Sequence, residues 1–245
     1  MKLGMIGLGK MGGNMAERLR RHGHEVVGMD PAKPEADAHS VAELVPLLVA
    51  DGQPKVAWSM VPAGGITDSV ITELGELLEP GDLVIDGGNS NYLDSIRHGE
   101  QLAAKGIGFV DCGTSGGVWG LENGYALMVG GTKESVALAQ PIFDALAPPK
   151  GFAHAGPVGA GHYTKMVHNG VEYGLMQAYA EGYAILAASP LGIDVEAAIG
   201  SWQEGSVVRS WLLDLAESTG HLAVPSLRAA LAIAERARGL PLSPR

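Results

Sequence analysis

KLGMIGLGKMG, residues Lys2 to Gly12, reads in two halves joined by glycines. Lys2–Ile6 is a short apolar run of the kind buried in a parallel sheet, and a helical pattern then runs through Arg20. Between them Gly7, Gly9 and Gly12 form a G-x-G-x-x-G pattern. Glycine permits the tight turn and lets the backbone approach a pyrophosphate, which then sits at a helix N-terminus. Glycine-rich strand-to-helix turns also occur for purely structural reasons. Here the context favours the binding reading, because a second strand, His24–Met29, ends on the acidic Asp30 at the spacing such folds use. Gly7, Leu8, Gly9, Lys10, Met11 and Gly12 are therefore expected to wrap a dinucleotide.

Asp30 bears on which dinucleotide. A carboxylate there accepts hydrogen bonds from the adenosine ribose hydroxyls and repels a 2′-phosphate, although the nearby Lys33 softens the repulsion. NAD is expected as the cofactor in preference to NADP. The other reading makes Asp30 a turn residue ahead of Pro31.

Further strands are expected at Val56–Val61, Leu83–Ile85, Gly108–Asp111 and Ala126–Val129, with a helix at Ile66–Leu78. Apolar strands separated by helices imply βαβ units and a mainly parallel sheet. After about residue 155 the pattern becomes helical, with a long segment at Ala160–Ala188 and shorter ones at Val195–Gln203, Val207–Glu217 and Pro225–Arg238. The fold class is thus α/β: a Rossmann-type dinucleotide-binding domain over residues 1–157, then a shortened all-helical domain over 158–245 that binds substrate and mediates assembly.

Composition narrows the function classes. Of 245 residues, 46% are hydrophobic and 18% charged, which suits a globular chain with a sizeable core. A formal net charge of −10, with no long basic run, argues against nucleic acid as a partner. No apolar run is long enough to span a bilayer, and the glycine-broken start lacks a cleavage-site pattern. With Cys112 the sole cysteine no intrachain disulfide forms, so a reducing, cytoplasmic setting is expected. Nothing next to Cys112 would activate a thiolate, so it reads as a packed small residue.

The helical half holds an unusual polar stripe. On a helix, Lys165, Asn169, Glu172, Tyr173 and Met176 share one face. An exposed, solvated face is the bland reading. Val171, Leu175 and Ile185 nearby suggest a helix with little exposed side, whose polar groups need partners or a ligand.

Four stretches together carry a family resemblance: GLGKMGGNMA at Gly7–Ala16, DGGNSNY at Asp86–Tyr92, VDCGTSGGVWGLENGYALMVGG at Val110–Gly131, and GAGHYTKMVHNGVEYGLMQAYAEGY at Gly159–Tyr183. Their order and content resemble the 6-phosphogluconate dehydrogenases, most closely the short, bacterial, decarboxylating branch within the β-hydroxyacid dehydrogenases. The resemblance implies oxidation and decarboxylation of 6-phosphogluconate to ribulose 5-phosphate and CO₂ with reduction of NAD. It makes Lys165 the general base and Glu172 the general acid, with Asn169 orienting substrate and lysine. Val61, Pro62 and Asn89 join the cofactor site, Asn89 lying between nicotinamide and substrate. Ser115, Gly116 and Gly117 match the substrate loop, and Tyr173 contacts the phosphate. His168 matches a substrate position, with a structural histidine as the other reading. Arg236 falls where the family has a phosphate-binding arginine, with a solvated helix residue as the other reading.

The sequence also departs from the family. Only Ala216–Ala223 bridges two helices between which the family carries a glycine-rich segment with lysine and threonine that grips the phosphate. Two other readings stay open: a β-hydroxyacid dehydrogenase for an unphosphorylated hydroxy acid, and a non-catalytic NAD-binding protein. So small and apolar a helical domain, like its relatives, is expected to pair into a homodimer or homotetramer through residues after about 160.

Overall fold

A computed structural model describes residues 1–49 and 52–218. Each apolar run expected from the sequence becomes a strand of one sheet, with helices packed on its two faces. In chain order these are β1 (Lys2–Ile6), α1 (Lys10–Arg21), β2 (Glu25–Met29), α2 (Val41–Leu47), β3 (Val56–Ser59), α3 (Gly65–Leu77), β4 (Leu83–Asp86) and α4 (Tyr92–Ala103). There follow β5 (Gly108–Ser115), a 3₁₀ turn at Gly117–Trp119, α5 (Gly120–Asn123), β6 (Ala126–Gly131), α6 (Lys133–Leu146) and β7 (Phe152–Gly156). Three helices come last: α7 (Ala160–Ala187), α8 (Val195–Trp202) and α9 (Trp211–Ser218).

The strands lie in the order β2-β1-β3-β4-β5-β6-β7. All neighbours are parallel except β5 and β6, which run antiparallel from Val110↔Gly131 to Ser115↔Ala126. Because β2 and β3 flank β1, the winding direction reverses there, and a crevice opens at the carboxyl ends of those strands. One face of the sheet packs Leu3, Met5, Trp58 and Ile85 against Met15, Leu19 and Phe143 of α1 and α6. The other packs Ile6, Val84 and Phe109 with Leu44, Ile71, Leu74 and Leu102 of α2, α3 and α4. Across the strands one register row reads Ile6, Ser59, Asp86, Asp111 and Gly130. Two buried carboxylates therefore stand side by side near the carboxyl edge of the sheet.

The chain divides into two compact units, Met1–Met166 and Val167 onward, so the division falls within α7. The sequence reading placed it just ahead of that helix. In the second unit Tyr179, Ile199 and Leu213 form a small core with Tyr183, Leu186, Val195, Trp202 and Leu212 around it. The Tyr179 hydroxyl donates to the Val208 carbonyl at 2.7 Å, and Asp194 caps α8 by accepting from the Ala197 amide at 3.0 Å.

Several expectations need correction. β3 stops at Ser59 and β5 runs on to Ser115, because its glycine-rich end finds an antiparallel partner in β6. β7 went unread, being short and largely exposed. α9 begins at Trp211, since Ser206–Arg209 forms a turn instead. The long helix also has a broad exposed side, with Val171 58% and Ile185 72% exposed. At about 3.6 residues per turn these lie on the side of α7 away from Lys165 and Glu172. The segment Pro225–Arg238 lies outside the described residues. Among the described residues, no helix is long and apolar enough to cross a membrane.

Candidate active site

The three glycines between β1 and α1 each answer a different demand. Gly7 has φ +88°, and a Cβ there would stand 2.9 Å from the Met60 carbonyl oxygen. A Cβ on Gly12 would run into the carbonyl of Gly7, so α1 seats against the loop only because residue 12 has no side chain. Gly9 faces open space. As the N-cap of α1 it supplies no side-chain acceptor, whereas Ser40, Asn91, Thr132 and Asp194 cap α2, α4, α6 and α8. The first-turn amides of α1 thus have no side-chain acceptor from the cap, which is the arrangement that receives a phosphate.

Asp30 follows β2 and ties the loop to it. Its Oδ2 accepts from the Leu8 amide and its Oδ1 from the Ala32 amide, both at 2.9 Å. The turn-residue reading is therefore true but incomplete. Each carboxylate oxygen has a further lone pair for an incoming hydroxyl.

These groups open onto one cavity of about 680 Å³, in the range of small-ligand sites. Gly7, Gly9, Met11, Asp30, Val61, Pro62, Asn89 and Lys165 all line it. Leu8, Lys10 and Gly12 do not: Leu8 packs toward Gly28, Lys10 is exposed, and Gly12 is buried under Gly7. Local structure explains the placement of the rest. The Thr67 hydroxyl donates to the Pro62 carbonyl at 2.9 Å, shaping the turn after β3. Asp86 accepts from the Gly88 amide at 3.0 Å and the Ser90 hydroxyl at 2.7 Å, folding the DGGNS loop that presents Asn89.

Lys165 comes from the second turn of α7, its Cβ against the backbone of Gly113 in β5. Asn169, Glu172 and Tyr173 follow along α7 in the second unit, with His168 Nδ1 3.7 Å from Glu172 Oε2 and 3.4 Å from Asn169 Oδ1. The helix itself thus gathers His168, Asn169 and Glu172. Ser115, Gly116 and Gly117 begin one residue beyond Thr114; Thr114 lines the cavity and they do not. Gly116 and Gly117 have φ of +144° and +54°, which turns the chain into the 3₁₀ segment. Arg236 lies outside the described residues.

Some participants escaped the sequence reading. Thr114 lines the cavity, as do Ile66 and Val70, one turn apart on α3. Ile66 is 55% exposed, and a large apolar residue in the first turn after a strand was the available signal. Cys112 is fully buried, and desolvation pushes its thiol up to about 12, so it stays protonated and inert at neutral pH. Among the described residues no group of three His, Cys, Asp or Glu side chains stands ready to hold a metal.

Residues 2–156 match the family described as the NAD binding domain of 6-phosphogluconate dehydrogenase, and residues 161–221 match the 6-phosphogluconate dehydrogenase C-terminal domain. The chain is 46% identical over 227 residues to the NAD(+)-dependent, decarboxylating 6-phosphogluconate dehydrogenase of Haloferax volcanii, covering 89% of this chain and 74% of that one. The structure of Plasmodium falciparum 6-phosphogluconate dehydrogenase superposes with a TM-score of 0.80 at 25% identity, over 98% of this chain and 59% of that one. Mycobacterium tuberculosis 3-hydroxyisobutyrate dehydrogenase gives a TM-score of 0.77 at 24% identity, over 98% of this chain and 88% of that one, a likeness of fold. The chain belongs to the 6-phosphogluconate dehydrogenase family.

Proposed function

We propose that this protein oxidises and decarboxylates 6-phosphogluconate to ribulose 5-phosphate and CO₂, with NAD as the electron acceptor. The observation that carries the reading is the presence of Lys165 on the wall of the same cavity as Gly7, Gly9, Asp30 and Asn89. The glycine loop and the uncapped start of α1 fit the pyrophosphate, and Asp30 fits the adenosine ribose. When bound, NAD supplies the hydride acceptor.

Lys165 in its neutral form takes the proton of the substrate's 3-hydroxyl as the C3 carbonyl forms. The resulting ammonium then polarises that carbonyl, so the electrons left by departing CO₂ settle as an enediol. Glu172 returns a proton to the carbon that becomes C1 of the product. Asn169 orients substrate and lysine, and His168 and Tyr173 bind the sugar acid and its phosphate. Ser115, Gly116 and Gly117 offer backbone and hydroxyl donors to the sugar acid, and Arg236 supplies a cation for the phosphate.

The test is NADH formation with 6-phosphogluconate, gluconate and 3-hydroxyisobutyrate in parallel. A site that hydrogen-bonds the sugar hydroxyls and pairs the phosphate should favour 6-phosphogluconate in kcat/KM by at least about 10²-fold. Comparable rates with 3-hydroxyisobutyrate would transfer the protein to the unphosphorylated class, and no NADH from any substrate would make it a binding protein.

We place the protein in the cytoplasm as a homodimer, or a pair of dimers, joined through the helices after about residue 160. Val167, Val171 and Ile185 form an exposed apolar side of α7, and contiguous apolar surface of that kind is usually covered by a symmetric partner. Light scattering over a concentration series should give at least twice the 25.3 kDa chain mass, and a stable species at that mass would refute the pairing.

A further inference from the structure

The geometry points to Asp111 as a positioning residue for Lys165, fastening the first turn of α7 to β5 so that the lysine amine reaches the substrate from a fixed origin. The inference rests on the reading of Lys165 as the base. Asp111 is fully buried and does not line the cavity, so any effect it has on turnover must act through another residue.

Its carboxylate is wholly committed to the start of α7. Oδ1 accepts from the Gly159 amide at 2.7 Å and Oδ2 from the His162 amide at 2.8 Å. Helices normally satisfy their first amides with a side chain at the cap, and Gly159 has none to offer. The acceptor comes instead from the middle of a strand, and its negative charge also suits the positive end of the helix. The lysine follows within one turn of the bond to His162, with little room for the backbone between to drift.

Packing around the carboxylate is close enough to admit only glycine. A Cβ on Gly161 would run into the carbonyl of Asp111, and one on Gly130 into the Asp111 carboxylate while standing 2.8 Å from the Gly161 amide. A Cβ on Gly113 would run into the Lys165 Cβ itself and stand 3.0 Å from the Gly161 carbonyl. A second tether comes from the His162 ring, whose Nδ1 lies 2.7 Å from the Ser95 hydroxyl of α4, both groups buried. The first turn of α7, just ahead of Lys165, is thus held by β5, β6 and α4 together. That is more restraint than a helix start needs, and it converges on one side chain.

Asp111→Asn tests the inference. The amide has one oxygen where the carboxylate had two, so one of the two helix amides meets an NH₂ group. Displacing a reacting group by about 1 Å costs on the order of 10²-fold, and kcat should fall by about that factor while the dissociation constant of NAD, read by fluorescence quenching, stays at the wild-type value. In a Lys165→Met background the same change should cost nothing further, because no lysine remains to be placed. Gly113→Ala leaves the Asp111 carboxylate in place but presses on the Lys165 Cβ, and should show the same pattern; it carries the test if Asp111→Asn does not accumulate folded. Wild-type kcat in a folded variant overturns the inference. So does a loss that repeats in the Lys165→Met background or weakens NAD binding in parallel, since either marks general damage to the fold. If Lys165→Met itself turns over normally, the base assignment fails and takes this inference with it.

Discussion

Lys165→Met should cut turnover of 6-phosphogluconate to a small residual rate and leave NAD binding intact. Methionine has nearly the length of lysine and keeps the Cβ that rests on Gly113, so the wall of the cavity is preserved and only the amine is lost. Loss of a general base costs about 10²–10⁴-fold, and here the same amine also polarises the carbonyl during decarboxylation, which argues for the upper end. Steady-state kcat and the NAD dissociation constant, measured on one preparation, check both halves. A variant retaining more than half the wild-type rate would remove Lys165 from the chemistry.

The second large effect is expected at Asp30. Its two oxygens are held by the amides of Leu8 and Ala32, so the carboxylate cannot swing aside when a 2′-phosphate arrives. Two unit charges about 4 Å apart interact by roughly 4 kcal/mol at an effective dielectric of about 20, enough to exclude NADP. Asp30→Asn removes the charge and keeps one acceptor for the loop. The ratio of kcat/KM for NAD over NADP should drop on the order of 10²-fold, mostly through improved use of NADP. A wild-type enzyme that already prefers NADP would contradict the role given to Asp30.

What could be read from the sequence was whatever depends on near neighbours. The glycine pattern, the strand before it and the acidic residue after β2 lie within thirty residues of each other, and the structure brings Gly7, Gly9 and Asp30 onto one cavity. The long helix was equally plain, because Ala160–Ala187 keeps its period with no proline to break it. β7 was not, since FAHAG at the sheet edge lacks both the alternation and the apolar run that mark a strand. The end of β5 hid for a related reason: glycine, threonine and serine look like a loop until β6 is beside them. Asp111 reads as the last residue of a strand, because its two donors lie 48 and 51 residues further along. The exposed face of α7 is misread from sequence because apolar side chains imply burial, which the fold of this chain does not give Val171 or Ile185.

The two neighbouring carboxylates of Asp86 and Asp111 have a bearing on how the sheet assembles. Strands β4 and β5 are rich in interchangeable apolar residues, and a parallel pairing displaced by one residue would still look hydrophobic. Such a slip turns every side chain of the displaced strand to the other face. It would turn Asp86 toward Trp58, or turn Asp111 away from Gly159 and His162 and toward Leu127, burying a carboxylate on an apolar face. A charge buried without partners costs several kcal/mol, comparable to the whole stability of a domain. The acids therefore act as register marks, since only the aligned pairing lets the start of α7 seat on Asp111.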